Sequence, residues 1–199
     1  MKSAGHLIVE IPNDFKNEIQ LSSGKILYLD PSYNEFENRV MEGKLHAVPP
    51  KFSDIFQEGD KVSFHHSLIV GKDNSRPIID WEKRLFRLDF TRDLTFNCLV
   101  YLIERDGEYT TINDFIFVEP IKEEKEEKIG SIYVPKMVDE DEPVKAKIIY
   151  SNEFNFEELG VGVGEEVYIT EKGRYVMEVD GKELWRMRST RNILAVDAG

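Results

Sequence analysis

The sequence predicts an all-β protein made of two tandem small β-barrels with long mobile loops. Three observations lead to this prediction. Short runs of β-branched and aromatic residues alternate with turn residues, helical periodicity is nearly absent, and several segments occur twice in the same order. Collinear repetition is typical of a duplicated domain of roughly 100 residues. We therefore expect a first domain over residues 1–108 and a second over 109–199.

The expected strands are short and are bounded by Gly, Asn, Asp and Pro. They include residues 7–11, 61–64, 98–103, 115–118, 144–150 and 166–170. One short helix is expected at 154–159, before Gly160, and the segment 52–56 looks similar. At the junction of the two repeats, the pair Asp106-Gly107 between apolar strands predicts a tight hairpin rather than a flexible linker.

Four pairs of segments carry the repeat. They are 7–10 with 116–119, 43–47 with 146–150, 58–64 with 163–169, and 85–94 with 184–193. In the last pair apolar positions match apolar positions, and Thr91-Arg92 corresponds to Thr190-Arg191. A function that a duplicated small barrel can serve is therefore expected.

Composition narrows the classes of function. The 199 residues carry a net charge of −12, which disfavours binding to nucleic acid because that depends on clustered Lys and Arg. Cys98 is the only cysteine, so no internal disulfide can form, and we expect it to be a core residue. The N-terminus lacks the apolar stretch of a signal peptide and no apolar run reaches membrane-spanning length, so a cytoplasmic protein is expected.

One segment of each repeat does not resemble core. In the second repeat, the apolar triplet Ile132, Tyr133 and Val134 lies between the charged runs 122–128 and 139–143. Such a composition favours a mobile loop over 122–142 whose triplet becomes ordered on a partner. The alternative is one more barrel strand with solvated flanks. The first repeat has a similar element, with Ile26, Leu27 and Tyr28 in the segment 21–31 followed by a polar run.

The second repeat resembles a GroES-type co-chaperonin along nearly its whole length. Gly-Ser-Ile-Tyr-Val-Pro at 130–135 is similar to the Gly-Gly-Ile-Ile-hydrophobic-Pro motif of that family's mobile loop. The segment 159–167 is similar to the family's hydrophobic-x-Val-Gly-Asp-x-Val motif, and 180–184 and 192–196 are similar to its closing segment. The first repeat follows the same plan, with 57–62 and 92–94 as its closest matches. It is longer at 65–83, where the family has a short roof hairpin.

The resemblance implies a binding function. In the family, a mobile loop from each subunit docks its apolar tripeptide on an ATP-driven GroEL-type chaperonin and closes a chamber in which a substrate protein folds. The chaperonin-binding residues implied here are Ile132, Tyr133, Val134, Ile26, Leu27 and Tyr28. It also implies a homo-oligomeric ring, most simply a heptamer. We expected the ring to form by head-to-tail pairing of free edge strands at 7–11 and 193–196, so that deleting 192–199 would release monomers.

Other classes of function find less support in the residues. The adjacent pair His65 and His66 is expected to point to opposite faces of a strand, which disfavours metal chelation. The glycines at 160–164 lead into a strand, which differs from a dinucleotide-binding motif. We expect no enzymatic activity, cofactor, metal, nucleic acid or membrane partner. The alternative function is a phage virion or assembly β-barrel protein that binds a structural partner.

Overall fold

The computed structural model describes residues 2–11, 18–20, 23–28, 40–68, 78–80, 82–92, 99–121, 128–129, 132–133 and 143–197. The chain divides into two compact units, Met1–Tyr109 and Thr110–Gly199. Several residues of interest lie outside the described ranges: Cys98, Val134, and most of the segments 12–39, 69–77 and 122–142.

Unit 1 contains nine strands among the residues that the structure describes. They are β1 (Leu7–Glu10), β2 (Glu18–Gln20), β3 (Ile26–Tyr28), β4 (Glu42–Ala47), β5 (Lys61–Phe64), β6 (Ile78–Asp80), β7 (Leu85–Leu88), β8 (Val100–Arg105) and β9 (Glu108–Thr111), the last of which crosses the division between the units. Two 3₁₀ turns, Pro50–Phe52 and His66–Leu68, flank β5.

Unit 2 contains eight strands and two short helices. They are β10 (Phe115–Pro120), β11 (Lys128–Ile129), β12 (Ile132–Tyr133), β13 (Val144–Tyr150), α1 (Glu153–Leu159), β14 (Glu166–Ile169), β15 (Tyr175–Val179), β16 (Lys182–Arg188), α2 (Ser189–Asn192) and β17 (Ile193–Val196). The expected helix before Gly160 is thus present, whereas α2 was not anticipated.

The two main sheets have the same topology. In unit 1 the order is β6-β7-β1-β4-β5-β8-β9, and in unit 2 it is β15-β16-β10-β13-β14-β17, with antiparallel pairing throughout. Apart from β9, each strand of one sheet has its counterpart at the same place in the other. The predicted all-β character is confirmed, but closure of either sheet into a barrel is not found among the described residues.

The repeated segments occupy equivalent registers in the two sheets. Ile8 pairs with both Ala47 and Arg87, and its counterpart Phe117 pairs with both Tyr150 and Arg186. Each first strand also carries an irregularity in the same place, between Ile8 and Val9 and between Phe117 and Val118. The four sequence repeats therefore correspond to equivalent backbone positions through the strands they cover.

The correspondence ends earlier than the sequence comparison predicted. The repeat aligned Leu94 with Ile193, but Ile193 pairs with Ile169 as Val100 pairs with Phe64. Val100 is therefore the structural counterpart of Ile193. Unit 1 is longer at this point, and the additional residues 93–98 lie outside the described residues.

The prediction that residues 7–11 form a free sheet edge is wrong. β1 pairs with β4 on one side and β7 on the other, and Leu7, Ile8 and Val9 are all buried. The physical reason is that β7, which comes later in the chain, pairs with the edge of β1 that β4 leaves open, so chain order does not set sheet order. β17, in contrast, is an edge strand, as expected.

Each unit has an apolar interior of its own. In unit 2 the eight residues at its centre are fully buried; they are Ile116, Val118, Ala146, Ile148, Val161, Val167, Ile169 and Met187. In unit 1 the interior includes Val9, Leu45, Val62, Phe64 and Leu88, each at most 1% exposed. Burial of such side chains contributes about 1.5–3 kcal/mol each.

Tight turns follow the sequence signals. Asp106 and Gly107 join β8 to β9 with φ angles of 54° and 84°, which match the two-residue hairpin turn that Asp-Gly favours. The predicted hairpin at the junction is therefore confirmed. Within the described ranges, no helix is both long enough and apolar enough to cross a membrane.

Candidate functional site

Two residues of the second predicted binding triplet lie in a short ribbon. Ile132 and Tyr133 form β12, which pairs with β11 in the register Ile129↔Ile132 and Lys128↔Tyr133. Among the described residues, this pair is a sheet separate from the six-stranded sheet of unit 2. The alternative interpretation made this segment one more strand of the main sheet. Among the described residues, Ile132 and Tyr133 do not pair with that sheet. Val134, the third member, lies outside the described residues.

The first predicted triplet lies in a similar ribbon. Ile26, Leu27 and Tyr28 form β3 and pair with Gln20, Ile19 and Glu18 of β2. This pair is also a separate two-stranded sheet among the described residues. Gly24, in the connection between the strands, has a φ of 76°, in the left-handed region that glycine enters without steric cost.

Both ribbons occupy the same place in the topology. The first lies between β1 and β4 and the second between β10 and β13, the first two main-sheet strands of each unit. Since these strands are hydrogen-bonded neighbours, the two ends of each intervening segment emerge side by side from the sheet. The structure thus assigns the two predicted triplets to equivalent segments, one in each unit.

The ends of these segments are fixed to the main sheets. In unit 1, Ile11 and Val40 are buried, and the Ile11 N–H donates to the Arg84 carbonyl oxygen at 3.2 Å. In unit 2, the Ile121 N–H donates to the Lys145 carbonyl oxygen at 2.8 Å. The residues from which each segment starts are therefore held in place by backbone hydrogen bonds.

An ion cluster lies beside the base of the second ribbon. The Lys145 ammonium is 2.7 Å from a carboxylate oxygen of Asp197 and 2.7 Å from one of Glu166. These hydrogen bonds, first to Asp197 and then to Glu166, raise the pKa of Lys145 well above its usual 10.5. The cluster ties β13 to β14 and to the residue that follows β17.

The equivalent positions of unit 1 carry the same cluster with two charges exchanged. Lys61 on β5 lies 2.9 Å from Glu42 on β4 and 3.7 Å from Glu104 on β8, measured from Nζ to carboxylate oxygens. By strand register, Glu42 corresponds to Lys145 and Lys61 to Glu166. The hydrogen bond that the Lys61 ammonium donates to Glu42 is the main cause that raises the pKa of Lys61. Both units thus have a cation between two carboxylates at this place.

The histidine pair differs from the expectation. His65 follows β5 and His66 begins a 3₁₀ turn, so the rings do not point to opposite faces but stack, with centroids 4.3 Å apart. The described residues contain no group of three or more His, Cys, Asp or Glu side chains arranged to hold a metal ion.

Sequence reasoning missed the ion clusters and an exposed apolar surface on α1. The clusters could have been found from the repeat alignment, because Lys61 and Glu166 are aligned residues of opposite charge. The exposure of Phe156 on α1 (63%) had no such signal, since Phe is usually buried.

Comparison with models of known protein families and with curated proteins found no match to this chain.

Proposed function

We propose that this protein is a co-chaperonin of the GroES type, with two GroES-like domains in one chain. It caps a GroEL-type chaperonin in its ATP-bound state through the two ribbon segments and so assists the folding of an enclosed protein. The observation that carries the proposal is the equivalent position of β3 (Ile26–Tyr28) and β12 (Ile132–Tyr133), which among the described residues belong to two-stranded sheets separate from the main sheets.

Energetics favour contact through several ribbons at once. Burying an apolar side chain contributes about 1.5–3 kcal/mol, while ordering a loop residue costs about 1–2 kcal/mol. A single triplet therefore binds weakly, and backbone pairing within a ribbon lowers the cost by ordering part of the segment in advance. Several weak contacts from one assembly give strong but reversible binding, which suits a lid that must be released.

The proposed assembly is a homo-oligomeric ring. β17 supports this part of the proposal, because it is a sheet edge on which Leu194 is 55% and Val196 is 42% exposed. The counterpart of β17 in unit 1 is β8. β9 pairs with β8, and the first four residues of β8 are buried. Uncovered edges invite pairing with another chain. Since β1 is an interior strand, β17 must pair with a different segment of the neighbouring chain.

Capture by an immobilised chaperonin tests the function. Wild-type protein should bind a GroEL-type chaperonin with ATP and not without nucleotide. Changing Ile132, Tyr133 and Val134 together to Ser should reduce capture at least tenfold, because the lost apolar burial is repeated in every subunit. The same change at Ile26, Leu27 and Tyr28 measures whether the first unit also contacts the chaperonin.

A matched control replaces exposed apolar residues elsewhere. Ile79→Ser with Val176→Ser changes side chains that are 44% and 40% exposed on other strands, and it should leave capture unchanged. Undiminished capture of both ribbon variants would refute the ribbon mechanism. Absence of nucleotide-dependent capture of the wild-type protein would favour the alternative, a virion or assembly protein.

A further inference from the structure

In unit 2, exposed apolar side chains lie on α1 and on the loop that follows it, with glutamates beside them in the sequence. We define this α1 patch by Phe156, Leu159 and Val163, which are 63%, 40% and 66% exposed. Phe156 and Leu159 are three positions apart on the helix and so share one side of it. A Cβ atom at Gly162 would lie 3.6 Å from Cδ2 of Phe156, so the Phe156 ring extends from the helix to the loop that carries Val163.

The α1 patch is held by a buried polar network beneath it. The Asn152 side chain accepts from the Asn155 N–H at 3.1 Å and donates to the Thr111 and Asn113 carbonyl oxygens at 2.9 and 2.7 Å. Asn155 is fully buried and donates to the Phe115 carbonyl oxygen at 3.1 Å. Phe156 is therefore exposed on a helix that these hydrogen bonds hold in place.

The corresponding place in unit 1 is covered. The 3₁₀ turn Pro50–Phe52 lies, like α1, between the second and third strands of its main sheet. Phe90 packs edge-on against both Phe52 and Phe56, with centroids 4.9 Å apart in each pair. As a result Phe52 is 6% and Phe56 is 1% exposed.

A basic residue completes the cover in unit 1. The Arg92 guanidinium donates to the Lys51 carbonyl oxygen at 2.7 Å, and it forms an ion pair with Asp54 and lies 6.0 Å from the centre of the Phe52 ring. The cover is thus an aromatic residue followed two positions later by arginine.

Unit 2 cannot cover its own patch in the same way. The segment after β7 supplies Phe90 and Arg92, whereas the segment after β16 forms α2, in which Ser189 donates from its hydroxyl to the buried side chain of Asn155. α2 therefore packs under α1 and leaves Phe156 exposed.

We propose that the α1 patch docks an extended segment of a partner protein in which an aromatic residue precedes arginine or lysine by two positions. The aromatic ring covers Phe156 and Leu159. The basic side chain pairs with the glutamates beside them. Residues 152–165 include Glu153, Glu157, Glu158 and Glu165 but no Lys, Arg or His, so the charge of this surface complements a basic segment. This interaction is independent of the proposed chaperonin contact.

A peptide with the sequence of the internal cover tests the proposal. The probe is a capped Leu-Asp-Phe-Thr-Arg peptide, as in residues 88–92, added to the ¹⁵N-labelled full chain. Amide shifts of residues 153–164 should move and saturate. Phe156→Ser should weaken binding about tenfold or more, and Glu157→Lys with Glu158→Lys about threefold at low salt.

Three controls decide the result. A peptide with Phe replaced by Ser and Arg by Gln should leave the amide shifts unchanged, and Val176→Ser, at a 40% exposed site on β15, should bind like wild type. Failure of the first peptide to move residues 153–164 at millimolar concentration would overturn the proposal. So would shifts of these residues that depend on protein concentration without peptide, because the occupant would then be a second copy of the chain.

Discussion

Asp60 shows how a single buried carboxylate organises unit 1. Its side chain is 2% exposed and accepts from Arg105 Nε and Nη2 at 2.8 and 2.7 Å. The Gln57 N–H donates to it at 2.7 Å, and Arg105 also donates to the Ile55 carbonyl oxygen at 3.0 Å. These bonds link β8 to the turn before β5, and the hydrogen bond to Asp60 raises the pKa of Arg105 above its usual range.

Removal of this arginine should destabilise unit 1. Arg105→Leu leaves the Asp60 carboxylate buried without its cation, and we expect the free energy of unfolding to fall by about 2–4 kcal/mol. Urea denaturation followed by circular dichroism measures the change. Arg87→Leu is the matched control, because its partner Asp89 has a side chain that is 55% exposed, and it should cost under about 1 kcal/mol. Equal effects of the two variants would show that Asp60 does not need Arg105.

At the scale of elements, two of the predicted strands have the observed bounds because their apolar runs are short and end in turn residues. Residues 61–64 and 144–150 are β5 and β13 with the predicted bounds. α2 was missed because Ser189 to Asn192 is only one turn long and follows a strand directly, so it has no periodicity to detect. The edge assignment of β1 failed because chain order was taken as sheet order, although the later strand β7 pairs with β1.

The sequence identified the two segments of the candidate site but not the strand pairing within them. Charged flanks around an apolar triplet identified the segment in the second repeat, and a similar apolar triplet followed by a polar run identified the one in the first repeat. The pairing of Ile132 with Ile129 could not be derived, since a two-residue strand has too few positions for a pattern. The exposure of Phe156 depends on where α2 packs, which is a tertiary effect outside the local sequence.

The exchanged ion clusters allow a test within one chain. Lys145→Glu places three carboxylates together and should lower the melting temperature by a few degrees. Adding Glu166→Lys rebuilds in unit 2 the arrangement of Glu42, Lys61 and Glu104, and it should restore most of the loss. Scanning calorimetry measures both. A double variant no more stable than Lys145→Glu would show that the cation cannot be moved between these strands.

The raised pKa of Lys145 fixes the pH range of this effect. Because its folded pKa exceeds the usual 10.5, the stabilisation is fully present below pH 10.5 and is lost as the pH rises through the folded value. The deficit of Lys145→Glu should therefore be the same at pH 7 and pH 9. It should shrink with added salt, because the Lys145 side chain is 24% exposed and is partly screened.

At the scale of the whole molecule, the main sheets of the two units share one strand order but end in different edge strands. The sheet of unit 1 has a seventh strand, β9, beyond β8, and that of unit 2 stops at β17. The first four residues of β8 are buried, whereas Leu194, Ala195 and Val196 of β17 are exposed. Among the described residues the two sheets therefore have unequal edges, and we expect another chain to pair at the uncovered edge, β17.

The self-association expected at β17 can be tested with single charges. Natural edge strands use lysine to prevent pairing, so Leu194→Lys should convert an oligomeric wild-type chain to monomers while leaving the circular dichroism spectrum and melting temperature unchanged. Sedimentation velocity at micromolar concentration measures the mass. Val176→Lys on β15, the opposite edge of the same sheet, is the matched control and should remain oligomeric. A monomeric wild-type chain would exclude the ring, and release of monomers by Val176→Lys alone would move the contact to β15.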